Sequence, residues 1–343
     1  MKCIHCQKDS KYKERTSRKC SGCGHLFAFE PKEKDPITDV FFQSAIDAVS
    51  ANGVVRWNVD HLYYEVCRRK RPGFKKILPV IVFAFLVSAF LSIGMMVVLR
   101  NPLGLIVPLL VAPLCVLGVL AYLSQKFVTI RSSEFHSWYE RWCDVHGTPK
   151  GVIVRKEAPV SPTTTESDVG DYSFDRAVIC DCSETVDLLL ANQFHFENNC
   201  AILSIDGYPA GPFALIRQML RRNPSLQVFA LHDATAAGCR MAHRLATDPE
   251  WFGGHAKVID VGLRPGNATV FKGLYRPSRG SVNVGEGISA DEAKWLTSYN
   301  LELAAVRPEQ VLKRLFRAVS RRDEKEPADT NGGDDGGVFF IID

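Results

Sequence analysis

Two Cys-x2-Cys pairs open the chain, Cys3 with Cys6 and Cys20 with Cys23, and 13 residues separate them. A tetrahedral Zn²⁺ takes four soft donors, and each Cys-x2-Cys turn brings two thiolates to one side of an ion with backbone amides directed at sulfur. Four thiolates close the coordination shell, so the expected role is structural: a ribbon over 1–30, too small to build a core, is held by the metal. His5 and His25 flank the knuckles as bystanders. The basic residues between the knuckles, Lys8 to Lys19, suit phosphate contact or a solvated face.

The second set is acidic. The stretches VICDCSET, ILSIDGYP and VFALHDATAAG each run from an apolar strand-like segment into a carboxylate, at Asp181, Asp206 and Asp233. Parallel sheets bind ligands outside the carboxyl ends of their strands, so these groups can hold Mg²⁺ against phosphates. They also suit strand-end turns and helix caps, Asp233 capping the helix after it. A third set is the pair Tyr63 and Tyr64 in NVDHLYYEV, followed by Arg68, Arg69, Lys70 and Arg71. A phenol with a pKa of about 10 is a poor nucleophile at neutral pH and needs a base, a cation or a metal's field. The alternative is packing, one ring in a small core and the other at a membrane interface. The basic cluster suits nucleic-acid phosphate as well as membrane topology.

The elements that must carry these residues follow from pattern. Ile37 to Ala51 reads as a helix, followed by an Asn52-Gly53 turn, an extended Val54 to Trp57 and a second helix from Asp60, a winged-helix-like α+β unit over 35–71. The runs 77–99 and 103–123 contain no charge over 23 and 21 residues. Each is long enough for a hydrocarbon core of about 30 Å, and Arg100, Asn101 and Pro102 between them make a two-helix transmembrane hairpin. The flanking basic residues put both soluble parts in the cytoplasm, which makes the chain a membrane-embedded, two-span protein. Ser132 to His146 is an amphipathic helix whose Trp138, Tyr139 and Trp142 suit the membrane surface. A Pro-, Ser- and Thr-rich linker near 158–173 leads to strands at Arg176 to Cys180, Ala201 to Ile205, Gln227 to Leu231 and Lys257 to Val261. Helical segments alternate with them, which implies a mainly parallel sheet. The end, 321–343, is an acidic, glycine-rich flexible tail.

Composition fits this organisation. The 343 residues are 46% hydrophobic and 23% charged, with a net charge of only +4, a composition that does not suggest wholesale disorder and makes local patches matter more than the total. The eleven cysteines do not form a disulfide framework, and no apolar segment in the first 35 residues resembles a secretory signal.

Order and spacing in the α/β region resemble a Toprim domain. Asp181 stands where that family has its glutamate, Asp233 where it has the first aspartate of Asp-x-Asp-x-x-Gly, and Gly238 where it has the glycine, while Thr235 replaces the second aspartate. With NVDHLYYEV ahead of it, the chain resembles the topoisomerase VI A subunit and the related transesterase of meiotic double-strand breaks, in which a winged helix with a Tyr-Tyr motif precedes a Toprim domain. The resemblance covers roughly 37–71 and 174–320, including SADEAKWLTSYNLELAAVRPEQVLKRL. It implies nucleic acid as partner, attack of Tyr63 or Tyr64 on a DNA phosphodiester to give a 5′-phosphotyrosyl link, and Mg²⁺ at Asp181 and Asp233, with Asp206 a weaker ligand. The family's arginine just before the tyrosines is replaced, since Asp60 and His61 occupy that place. The second reading is a catalytically degenerate binding, sensing or scaffold protein at the membrane. A homodimer or a partner protein is expected, and no nucleotide-binding loop is present.

Overall fold

The structure, a computed structural model, describes residues 1–71, 126–155, 175–210, 213–223 and 225–320, with a few isolated positions between 82 and 117. Helix α1 (Asp39–Val49) starts at Thr38, whose hydroxyl accepts from the Phe41 amide, and buries Phe42, Ala45, Ile46 and Val49 at helical spacing. It ends in the left-handed turn of Ala51, Asn52 and Gly53. Helix α2 (Val59–Lys70) is buried on every side from His61 to Cys67, because it lies between α1 and the short 3-10 turn Leu303–Ala305. The extended segment before it pairs only at Trp57, with 151–153.

Helix α3 (Ser132–His146) presents Phe135, Trp138 and Trp142 as one stripe. That stripe packs inside the protein: the Phe42 ring lies 4.9 Å from Trp142 and 6.4 Å from Phe135, and Tyr63 meets Phe135 edge-on at 5.4 Å. An amphipathic face states that something covers it; in this chain the cover is α1 and α2, not a membrane surface.

In the α/β part, β1 (Arg176–Cys180), α4 (Ser183–Ala191), α5 (Phe194–Glu197), β2 (Cys200–Ser204), α6 (Phe213–Arg222), β3 (Gln227–Leu231), α7 (Ala236–Thr247) and β4 (Lys257–Asp260) follow in order. The strands make a parallel sheet in the order β2-β1-β3-β4. Alternate residues feed opposite faces: Ala177, Ile179 and Val228 meet Leu220, Met241 and Leu245 of α6 and α7. Val178, Cys180 and Phe229 face Val186 and Leu189 of α4, in a core continuous with the three helices. After β4 come α8 (Pro265–Ala268), β5 (Arg276–Pro277), α9 (Ala290–Ser298), β6 (Tyr299–Asn300) and α10 (Pro308–Ser320), whose Val311, Leu315 and Val319 join that same core. The helical unit and the sheet are thus joined through one hydrophobic interior.

The expected two-span hairpin is corrected. Among the described residues no helix is long and apolar enough to cross a membrane. The runs 77–99 and 103–123 fall, but for isolated positions, outside the described residues, as do the linker near 158–173 and the tail at 321–343. The membrane-embedded, cytoplasm-facing placement rested on that hairpin and goes with it.

The basic cluster is turned inward. Glu65, 1% exposed, accepts from Arg68 at 2.5 Å, Arg69 at 2.7 Å and Arg307 at 2.8 and 3.0 Å. Lys70 lies 4.6 Å over the Trp138 ring, and Arg71 donates to the Lys272 carbonyl. Burial pushes the Glu65 carboxyl up, but the Arg307 and Arg69 hydrogen bonds and the Arg68 charge outweigh it, leaving it below its ordinary range. A depressed carboxyl contributes stability that is present above its unfolded value, about 4.5, and lost as pH falls through the folded value. Glu65→Gln is therefore expected to destabilise the protein by about 2–3 kcal/mol at pH 7, less than a fully buried pair because the arginines are partly exposed. Urea titrations should also show a smaller fall in stability below pH 5 in the variant than in the wild type.

Candidate functional site

The two cysteine knuckles are built alike. Cys3 accepts from the Gln7 amide at 3.0 Å and Cys20 from the Gly24 amide at 2.9 Å, both Gln7 and Gly24 having positive φ. The sulfurs of Cys3 and Cys23 are 3.7 Å apart, those of Cys6 and Cys20 are 3.6 Å apart, and all four lie within 4.8 Å of one another. Tetrahedral ligation at Zn–S of 2.3 Å requires about 3.75 Å between sulfurs, so the set is compatible with a zinc site. The Gly22 amide also points at Cys20 Sγ at 3.4 Å, as second-sphere donors do. His5 and His25 stack on each other at 3.8 Å outside the set. The ribbon is fastened to the helices by buried Asp39, which accepts from the amides of Ala28 and Phe29 and from His146 Nε2 at 2.7 Å.

Asp181 and Asp233 follow the ends of β1 and β3, the neighbouring strands between which the strand order reverses; open parallel sheets bind ligands at such a point. The Asp233 amide donates to Asp181 Oδ2 at 2.7 Å, and Asp233 Oδ1 accepts from the Leu303 amide at 2.6 Å. Asp181 Oδ1 is buried with no partner in good hydrogen-bond geometry, the Cys182 thiol and the Asp181 amide being weaker donors to the same carboxyl. Burial raises the Asp181 pKa against the pull of the Asp233 amide; burial and then the Asp181 charge raise that of Asp233 well above the usual range. A desolvated pair of carboxyls, one of whose oxygens, Asp181 Oδ1, lacks a partner, offers the oxygen donors that a hard divalent cation such as Mg²⁺ takes. Asp206, after β2, is exposed and does not join them: among the described residues the cysteines are the only group of three or more ligating side chains. Thr235 caps α7, accepting from the Gly238 amide at 3.0 Å, and a Cβ on Gly238 would lie 2.4 Å from the Asp233 carbonyl.

Behind the pair, His232 is fully buried, with Nδ1 2.7 Å from the Asp233 carbonyl and Nε2 3.0 Å from Asp260. Burial pushes Asp260 up, but the His232 hydrogen bond and the charges of His232 and Arg264 hold it down to about 2. Gly262 lies flat on the imidazole, where a Cβ would come within 2.3 Å.

A cleft of about 320 Å³ opens in front of Asp233. The starts of α2 (Asn58, Asp60, His61) and of α4 (Glu184) form one side, with Arg276 and Glu302 also lining it. Burial lowers His61 to about 4, so it is neutral at pH 7. Tyr63 and Tyr64 stand behind this wall, 2% and 0% exposed. The Tyr63 hydroxyl donates to the Ile130 carbonyl at 2.8 Å, whereas the buried Tyr64 hydroxyl has no partner in good hydrogen-bond geometry and faces the Glu302 carboxyl. Burial raises both phenols, with the Glu302 charge adding to the rise at Tyr64, the direction opposite to nucleophile activation. A cation does stand by them: Arg276 Cζ is 5.7 and 5.6 Å from the two ring centroids, and Arg276 Nη1 is 2.5 Å from Glu302.

The structure therefore brings Asp181 and Asp233 together, places the tyrosines behind the cleft wall and engages Arg68 to Arg71 internally. Sequence reasoning passed over Arg276, Glu302, His232 and Asp260. Asp260 ends a strand as Asp181 does and was open to the same argument; Arg276 carries no local signal. Compared with protein-family models, with curated proteins and with solved structures, the chain matches none of them.

The two hydroxyls should behave differently on removal. Tyr63→Phe leaves the buried Ile130 carbonyl unpaired and is expected to cost about 1–2 kcal/mol in urea unfolding, while Tyr64→Phe removes an unsatisfied polar group and should be neutral or stabilising.

Proposed function

We propose that this chain is a nucleic-acid-binding protein that grips phosphate through a divalent cation held by Asp181 and Asp233, with the cysteine ribbon a structural zinc module. The observation that carries the reading is Asp181 Oδ1, a carboxylate oxygen buried without a hydrogen-bond partner beside a second carboxylate, where parallel sheets bind ligands. Mg²⁺ bound there would neutralise both carboxylates and present positive charge to a phosphate. The chain's own part is to fix the two aspartates, through the Asp233 and Leu303 amides, and to wall the cleft with α2 and α4. Nucleic acid as the ligand class comes from the order of parts, which resembles the topoisomerase VI A family.

Binding is favoured over tyrosine cleavage by the burial of both rings, since a nucleophile must come within contact of phosphorus. Arg276 over the rings and the unpartnered Tyr64 hydroxyl favour a second reading, DNA cleavage after an opening of the wall; a protein-linked 5′ end formed with Mg²⁺ and lost in Tyr64→Phe would establish it.

Fluorescence anisotropy with a labelled DNA oligonucleotide tests the first. Affinity should be higher with Mg²⁺ than with monovalent salt of equal ionic strength, and Asp233→Asn should lower the Mg²⁺-dependent part about tenfold or more. Equal binding in both salts would refute it. Metal analysis should find zinc in the purified chain, and Cys20→Ser should release it and expose 1–30 to proteolysis.

A further inference from the structure

The binding reading leaves the tyrosine pair without a role, and its neighbours supply one. Arg276 sits over both rings, 5.7 Å from the Tyr63 centroid and 5.6 Å from that of Tyr64, within the range of a cation–π contact. Its backbone is fixed by pairing with Asn300 between β5 and β6, and its Nη1 is braced 2.5 Å from Glu302. Its side chain is still 36% exposed and lines the cleft.

Charge on the cleft wall gives this placement its meaning. Asp60, Glu184, Asp233 and Glu302 are acidic, and His61 is neutral, so Arg276 is the one permanent cation among the described residues lining the cleft. A phosphate entering such a cleft needs positive charge to offset these carboxylates, from a metal at the aspartates and from the Arg276 guanidinium. Guanidinium is suited to the task, because its planar fork can stack on a ring and still direct N–H groups at phosphate oxygens.

We infer that Arg276 is the phosphate-binding side chain of the cleft and that the Tyr63–Tyr64 ring pair is the platform that aims it, the ligand being a polynucleotide phosphate. This rests on the reading of the cleft as a phosphate site. The rings are needed and the hydroxyls are not.

The test uses the full chain and two readouts, Mn²⁺ binding followed by the free-ion EPR signal and Mg²⁺-dependent oligonucleotide affinity across a salt series. Arg276→Gln should keep Mn²⁺ binding, lose about tenfold or more in oligonucleotide affinity and show a salt slope smaller by about one. Arg276→Lys should restore only part of the loss. Tyr64→Phe should bind as wild type, while Tyr64→Leu should weaken binding in the same direction as Arg276→Gln. Wild-type affinity and slope in Arg276→Gln, loss of Mn²⁺ binding in that variant, or a loss in Tyr64→Phe equal to that in Arg276→Gln would each overturn the inference alone. A wild-type chain whose DNA binding ignores Mg²⁺ overturns the phosphate reading and this inference together.

Discussion

Two aspartates held side by side out of water are the constraint around which the α/β half is built. The register of β1 and β3 sets Cys180 opposite Leu231, so the chain leaves both strands at one level and Asp233 offers its amide to Asp181. Each neighbouring feature serves that closeness. Gly238 is small because the next helix must start against the Asp233 carbonyl, Thr235 caps that helix, and the 3-10 turn Leu303–Ala305 comes near enough for Leu303 to donate to Asp233. Burial raises the cost of both charges, and the pair persists with one oxygen unsatisfied. We propose that a ligand satisfies this arrangement.

The helical half is bound to that site by charge as well as by packing. Glu65 gathers arginines from its own helix and from the chain's far end, so the basic run, still about a third exposed at Arg68 and Arg69, also clasps α2 to the residue that precedes α10. The same helix carries the tyrosines and supplies one side of the cleft from its first turn. Displacing α2 would therefore disturb the clasp, the ring platform and the cleft at once.

Local signals were readable where local physics decides. The strands stand at or within a residue of their apolar runs; for β1, β2 and β3, a run buried on both faces and bounded by turn residues has few other uses, while β4 is the half-buried edge strand. The cysteine spacing forces its four sulfurs together in the same way. Signals that depend on a distant partner were not readable. The sign of the cluster from Arg68 onward was plain, but Arg307 meets Glu65 from 242 positions away. The aromatic stripe of α3 announced burial without saying against what, and an interior surface is as good a cover as a membrane. Arg276 lies in a two-residue strand with no pattern of its own, so only the fold reveals that it stands over Tyr64.

The central claim is that Asp181 and Asp233 hold a divalent cation at the mouth of the sheet. Anomalous scattering from crystals of the full chain grown with Mn²⁺ addresses it directly. The account predicts a peak within about 2.5 Å of Asp181 Oδ1 and an Asp233 oxygen, with the cysteine site giving a separate zinc signal. A map with the zinc peak and no density beside the two aspartates at millimolar Mn²⁺ would contradict it.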